Sequence, residues 1–115
     1  MAKKILFSIS EWKPDIIVVE DTWNAVNVEA SKMLTCLLGV TFGWAMSNCA
    51  EWHKMMPSSW RSYCGIKIGK KKRAELKQDS IDFVKDEFKI EVNDDVADAI
   101  GIGIGYINSV ALKED

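Results

Sequence analysis

Apolar residues along this chain change their spacing several times, and each change marks the edge of an element. Ile5, Leu6, Ile9 and Trp12 recur at helical intervals, so the first dozen residues read as an amphipathic helix that Pro14 ends. Asp15 then opens IIVVE, a β-branched run without alternation. Such a run suits a strand covered on both faces, as inside an α/β sheet, with Glu20 at its C-terminal end. From about Ala25 to Cys49 the helical period returns. Val28, Leu34, Leu37, Leu38, Phe42, Ala45 and Met46 supply its stripe, and Asn24 or a neighbour caps it. EWHKMM reads as a second strand, after which Pro57 and Ser58 break the chain and cap a short helical turn. A basic helix from about Lys70 to Phe88 keeps Ala74, Ile81, Val84 and Phe88 on one face, with Leu76 and Phe83 alongside. A last helix starts near Asn93.

Composition narrows this picture only in part. With 115 residues, 48% of them apolar, residues 1–115 are expected to form a single domain with a real core. A net charge of −2 and 28% charged residues indicate by themselves neither a nucleic-acid nor a membrane partner. The distribution is more informative. Arg61 to Lys77 holds seven basic residues against Glu75 alone, and Asp79 to the end holds ten acids against three lysines.

Cys36, Cys49 and Cys64 are odd in number and lack CxxC spacing, and His53 is the single histidine. This argues against a disulfide framework and against zinc, and makes a reducing cytosol the expected location. The cysteines are expected to be small buried hydrophobes. MAKKILFSISEWK has too short an apolar core for a signal peptide, and no other run approaches the roughly 20 apolar residues of a membrane span. Trp12, Trp44 and Trp52 lie on apolar faces and are expected in a core or an interface.

The segment NDDVADAIGIGIGYI, Asn93 to Ile107, places three aspartates just before alternating glycines. Asn93, Asp94 and Asp95 can be capping chemistry, since acids at a helix start accept backbone N–H bonds and favour the positive end of the dipole. Asp98 follows Asp95 by three residues, on the same face, among Val96, Ala97, Ala99 and Ile100. Two acids facing inward from an apolar helix need a compensating charge, which a divalent cation would supply. A strand reading of GIGIG competes, because glycine costs about 1 kcal/mol per residue inside a helix. The capping signal and the spaced acids favour the helix, with the glycines as flat spots that press it against the sheet.

Glu20, after IIVV, sits where sites form in α/β sheets, beyond the carboxyl end of a strand. Glu20, Asp95 and Asp98 offer only hard oxygen ligands, which select magnesium or manganese. Acid clusters of this kind drive phosphodiester hydrolysis with two bound ions. GIGIG lacks the strand-turn-helix context of a nucleotide loop, and no small-molecule substrate is expected.

In order along the chain, IIVVED, LLGVTFGWA, MPSSWRSYCGI, KKKRAELKQDSIDFV and DDVADAIGIGIGYI are similar to RuvC-type Holliday-junction resolvases, especially their phage-encoded relatives. The resemblance runs from Pro14 to Ile107, with the DxxDA and PSSWR segments its most specific parts. It implies an α/β, ribonuclease H-like fold with helices packed on a small mixed sheet. It also implies Glu20, Asp95 and Asp98 as catalytic acids binding Mg2+, with Mn2+ a substitute and Asp94 a lesser candidate. Proteins of this family act as dimers on four-way DNA junctions and nick opposed strands in pairs. Beside such a site, Arg61, Lys70, Lys71, Lys72 and Arg73 would approach DNA phosphates. Trp60 and Tyr63 can stack on bases, although core packing is the commoner use of large aromatics.

Family members begin with a three-stranded meander whose first strand carries another catalytic aspartate. This sequence has no such segment, so the expectation is an N-terminally truncated fold. Asp15 cannot stand in, because five strand residues place it about 16 Å from Glu20. The alternative to a nuclease is therefore a non-catalytic relative that binds branched DNA or a protein partner.

Overall fold

The computed structural model describes residues 2–21 and 28–114. In chain order the elements are α1 (Ala2–Trp12), β1 (Ile16–Glu20), α2 (Val28–Ser47), β2 (Glu51–Met55), α3 (Pro57–Tyr63), α4 (Arg73–Phe88) and α5 (Asp94–Glu114). Their contacts gather into two compact units, residues 1–54 and 55–115.

In the first unit, the chain leaves Ile9 and turns sharply at Lys13, whose φ is 47° and whose N–H donates to the Ile9 carbonyl at 2.8 Å. Helix α1 thus ends where Pro14 requires. The β1–α2–β2 crossover makes a two-stranded sheet. Glu51 N–H donates to the Asp15 carbonyl at 2.9 Å, pairing the start of one strand with the start of the other, so the strands are parallel. The sheet is not the mixed one expected. Nor is β1 covered on both faces: Ile16 is 41% exposed and the rest of the strand is half-buried.

Helix α2 packs on α1 and β1, and the line it buries is Thr41 and Ala45. Much of the expected stripe, including Val28, Leu34, Phe42 and Met46, is exposed. Two elements cover a narrower face than a full apolar stripe needs. Thr41 Oγ1 donates to the Leu38 carbonyl at 2.8 Å and accepts the Trp52 indole N–H at 3.0 Å, while Phe42 meets Trp52 edge-on at 5.1 Å. The helix ends with Cys49 in the left-handed region, φ 58°, and Ala50 N–H on the Ala45 carbonyl, a Schellman closure. The cap at Asn24 and the start at Ala25 lie outside the described residues. Trp44 and Trp52 are half-buried, whereas Trp12 is 78% exposed.

In the second unit, α3 and α4 both pack on α5. The core is Trp60, Val84, Ala97 and Ile102, with Ser80 and Ser109 buried among them. Pro57 occupies the first turn of α3 and Met56 is the N-cap, without a side-chain cap bond, so Ser58 does not cap. Pro is suited to that first turn because its missing N–H would have no helical partner. Helix α4 starts at Arg73 rather than Lys70, because Gly69 with φ 49° and the Lys71 N–H to Ile68 carbonyl bond form a turn first. Ala74 and Phe88, expected on its inner face, lie in its terminal turns and are exposed.

The glycine-laced segment is helical. Gly101 and Gly105 face Trp60 of α3, not the sheet that the sequence suggested. A Cβ on Gly101 would come within 2.5 Å of Trp60 Cζ3, while Gly103, turned away, has open space. By length and composition α5 can cross a membrane, contrary to the reading of the sequence. Glycine and alanine raise its apolar count, and α3 and α4 pack against it.

Candidate metal and nucleic-acid site

Asn93 is the cap of α5: its Oδ1 accepts the Val96 N–H at 2.9 Å. The three aspartates that follow take different positions. Asp94 reaches Lys77 of α4 at 3.2 Å, and that hydrogen bond, ahead of the other influences, holds its carboxyl below the usual value. Asp95 is exposed and does not face inward as expected. Asp98 is half-buried, with its Oδ1 3.6 Å from Arg61 Nη2.

The compensating charge that Asp98 requires is thus present in the chain. Arg61 is buried, only 9% exposed, with its guanidinium 4.6 Å from the Trp60 ring centroid. Its expected role on the DNA-facing surface therefore does not fit the structure. The cause lies next door. Trp60 is held in the groove made by Gly101 and Gly105, and Asp98, Gly101 and Gly105 share one face of α5 by their three- and four-residue spacing. Seating Trp60 there brings the next residue, Arg61, to Asp98. That spacing was visible in the sequence, but nothing local identified Trp60 as its partner.

Asp95 and Asp98 offer hard oxygen donors, the type a magnesium or manganese ion takes. Asp98 Oδ1 is buried with no hydrogen-bond donor on it, and Arg61 Nε is likewise without an acceptor. Magnesium keeps several waters and is commonly held by one or two carboxylates plus substrate phosphates; of the two α5 candidates, Asp98 is already paired with Arg61 and Asp95 is exposed. Among the described residues no three of His, Cys, Asp and Glu gather into a metal-binding group. In the first unit, Glu20 stands at the carboxyl end of β1 and lines an open cavity of about 260 Å³ with Ile5, Val19, Leu34, Leu38 and Thr41.

The remaining basic candidates cluster before and at the start of α4. Lys70, Lys71, Lys72 and Arg73 are all exposed, and Lys71 Nζ pairs with Asp79 at 2.7 Å. The N-cap position, Lys72, is extended and makes no side-chain cap bond. First-turn N–H groups, the positive end of the helix and four cationic side chains therefore coincide, and this combination recruits anions such as phosphate. Tyr63 is 36% exposed and Trp60 fully buried, so Trp60 is a core residue with no face for a base. Cys36 and Cys49 are exposed and Cys64 is half-buried, against the expectation of buried thiols, because Cys36 lies on the open side of α2 and Cys49 follows its last turn.

No family model matches the chain, and no curated protein does. Among solved structures, the chain is similar to Thermus thermophilus RuvC in complex with a Holliday junction substrate, with a TM-score of 0.73 and 12% identity. The match covers 96% of this chain and 65% of that one, so this chain spans about two thirds of the RuvC chain. At such identity the likeness concerns the fold alone, which is RuvC-like.

Proposed function

We propose that this protein is a structure-specific DNA endonuclease of the junction-resolving type, dependent on Mg2+ or Mn2+. The observation that supports it most is the RuvC-like fold over 96% of the chain, shared with a protein seen on a Holliday junction. Asp95 and Asp98 would hold the cation, which when bound supplies Lewis acidity at a phosphoryl oxygen and an activated water. We extend the catalytic assignment to Glu20 on its own evidence, its place at the end of an apolar strand.

The chain's own residues divide the rest of the work. Lys70, Lys72 and Arg73, with the first turn of α4, neutralise backbone phosphates and orient the duplex arm without reading its sequence. Lys71 contributes less, being already engaged by Asp79. A four-way junction has approximate twofold symmetry, so paired nicks call for two copies of the site; we assign the working form as a homodimer.

A mobility-shift titration across a salt series tests the binding half of this reading, using a synthetic four-way junction and a linear duplex of the same sequence. The junction should bind more tightly, and changing Lys70, Lys72 and Arg73 together to Gln should flatten the salt dependence by about 0.9 log unit per lost phosphate contact. Equal affinity for both DNAs, unaffected by the triple variant, would remove the reading.

A further inference from the structure

We infer that the cavity in the first unit binds a small organic ammonium ion, a primary amine on a short hydrocarbon body, with Glu20 as its counter-charge. The cavity volume of about 260 Å³ is close to the lower end of the roughly 300–1,000 Å³ typical of small-molecule sites. Such sites are mostly apolar, with a few polar groups that fix orientation. This cavity has the same makeup. Val19 of β1 and Leu34 and Leu38 of α2 contribute to its walls, and burying a hydrocarbon chain against them is favourable.

The polar groups select the head group. Among the described residues that line the cavity, Glu20 is the only charged one, and no lysine, arginine, histidine or amide side chain accompanies it. Two of the lining hydroxyls have spent their protons on helix carbonyls. Thr35 Oγ1 donates to the Ser31 carbonyl at 2.9 Å. Thr41 Oγ1 donates to the Leu38 carbonyl at 2.8 Å and accepts the Trp52 indole N–H. The lining thus offers a carboxylate and acceptor oxygens. A ligand that fits brings the donors and the positive charge itself, on an apolar body; carboxylates and phosphates are refused. Glu20 is also engaged within the fold, but a carboxylate has about four acceptor sites and can take an ammonium N–H as well. Such charge-assisted bonds are stronger than neutral ones. The site does not depend on the nuclease reading, although its occupant would withhold Glu20 from the role proposed above.

The test is an NMR titration of the isotope-labelled full chain at neutral pH, without DNA, using hexylamine, which is an ammonium ion there. Hexanol and hexanoate are titrated beside it. Hexylamine is expected to saturate, with amide shifts centred on Val19, Leu34 and Leu38, and to bind about tenfold more tightly than hexanol, the effect of one hydrogen bond to a charged group. Hexanoate should not bind. Butylamine should be weaker than hexylamine by about fourfold or more, since each buried methylene is worth about that factor. Glu20→Gln should lower the affinity for hexylamine to that for hexanol. Nα-acetyl-lysine methylamide carries the same head group tethered to a peptide and should bind less tightly than hexylamine. Tighter binding of that compound would assign the cavity to a protein lysine and overturn the inference. Hexanol or hexanoate binding as tightly as hexylamine, shifts scattered over the surface, or no saturation would overturn it too. These ligand comparisons need no variant, so they decide the matter even where Glu20→Gln fails to fold.

Discussion

Gly105 and Trp60 touch so closely that a Cβ on the glycine would lie 2.7 Å from the tryptophan Cβ and 2.9 Å from its Cα. Those are atoms at the root of a side chain in a helix, which no rotamer change can move. The contact sets the depth at which α3 seats on α5. Two turns earlier on the same face, it places Arg61 at Asp98.

Substitutions along this helix should therefore separate by face. Gly105→Ala and Gly101→Ala are expected to destabilise the fold by about 1–3 kcal/mol through overpacking against Trp60. Gly103→Ala, with nothing near its Cβ, should stabilise it by about 0.5–1 kcal/mol, the helix-propensity gain of alanine. Urea denaturation of the three variants checks the pattern. A stabilised Gly105→Ala would mean that α3 does not sit where described.

The three thiols should label at different rates. Cys36 and Cys49 are exposed. Cys64 donates to the Gly101 carbonyl at 3.3 Å, and burial first, then Glu87, pushes its thiol above the usual value of 9.0. Iodoacetamide at mildly alkaline pH should modify Cys36 and Cys49 well before Cys64, because the thiolate is the reacting form. Mass spectrometry of timed samples reads this directly, and equal rates at all three would contradict the packing around Cys64.

Asp94 gives a pH signature. Its folded carboxyl is held below the usual aspartate value, first by the Lys77 hydrogen bond. The folded state therefore releases this proton more readily than the unfolded chain. The stabilisation is present above the unfolded value and is lost as pH falls through the lower folded one. Asp94→Asn should narrow the gap to the parent protein as pH drops below about 4. The pair is only partly buried, so added salt should shrink the neutral-pH difference too. A gap that widened in acid would reverse the assignment.

Much of the fold could be read from residue pattern. Pro14 located the end of α1, the β-branched run located β1, and Asn93 with its acids located the start of α5 despite three helix-weakening glycines. What failed depended mostly on partners distant in sequence, and in one case on a local turn. The position of Gly69 delayed α4 and left Lys70 to Lys72 outside it, which a helical period could not reveal. Arg61 looked like one more surface cation in a basic segment. It proved to be buried, because Trp60 before it fits a glycine groove forty residues on. The stripe of α2 was overestimated for a related reason, since pattern reports which face is apolar but not how many elements arrive to cover it.

The central claim is cleavage, and it is tested most directly by incubating an end-labelled four-way junction with the purified 115-residue chain and Mg2+, beside Asp98→Asn and a linear duplex. The account predicts paired, symmetry-related nicks in the junction, none in the duplex, and loss of nicking in Asp98→Asn. A junction that is bound but left intact, or nicked equally by Asp98→Asn, would contradict it.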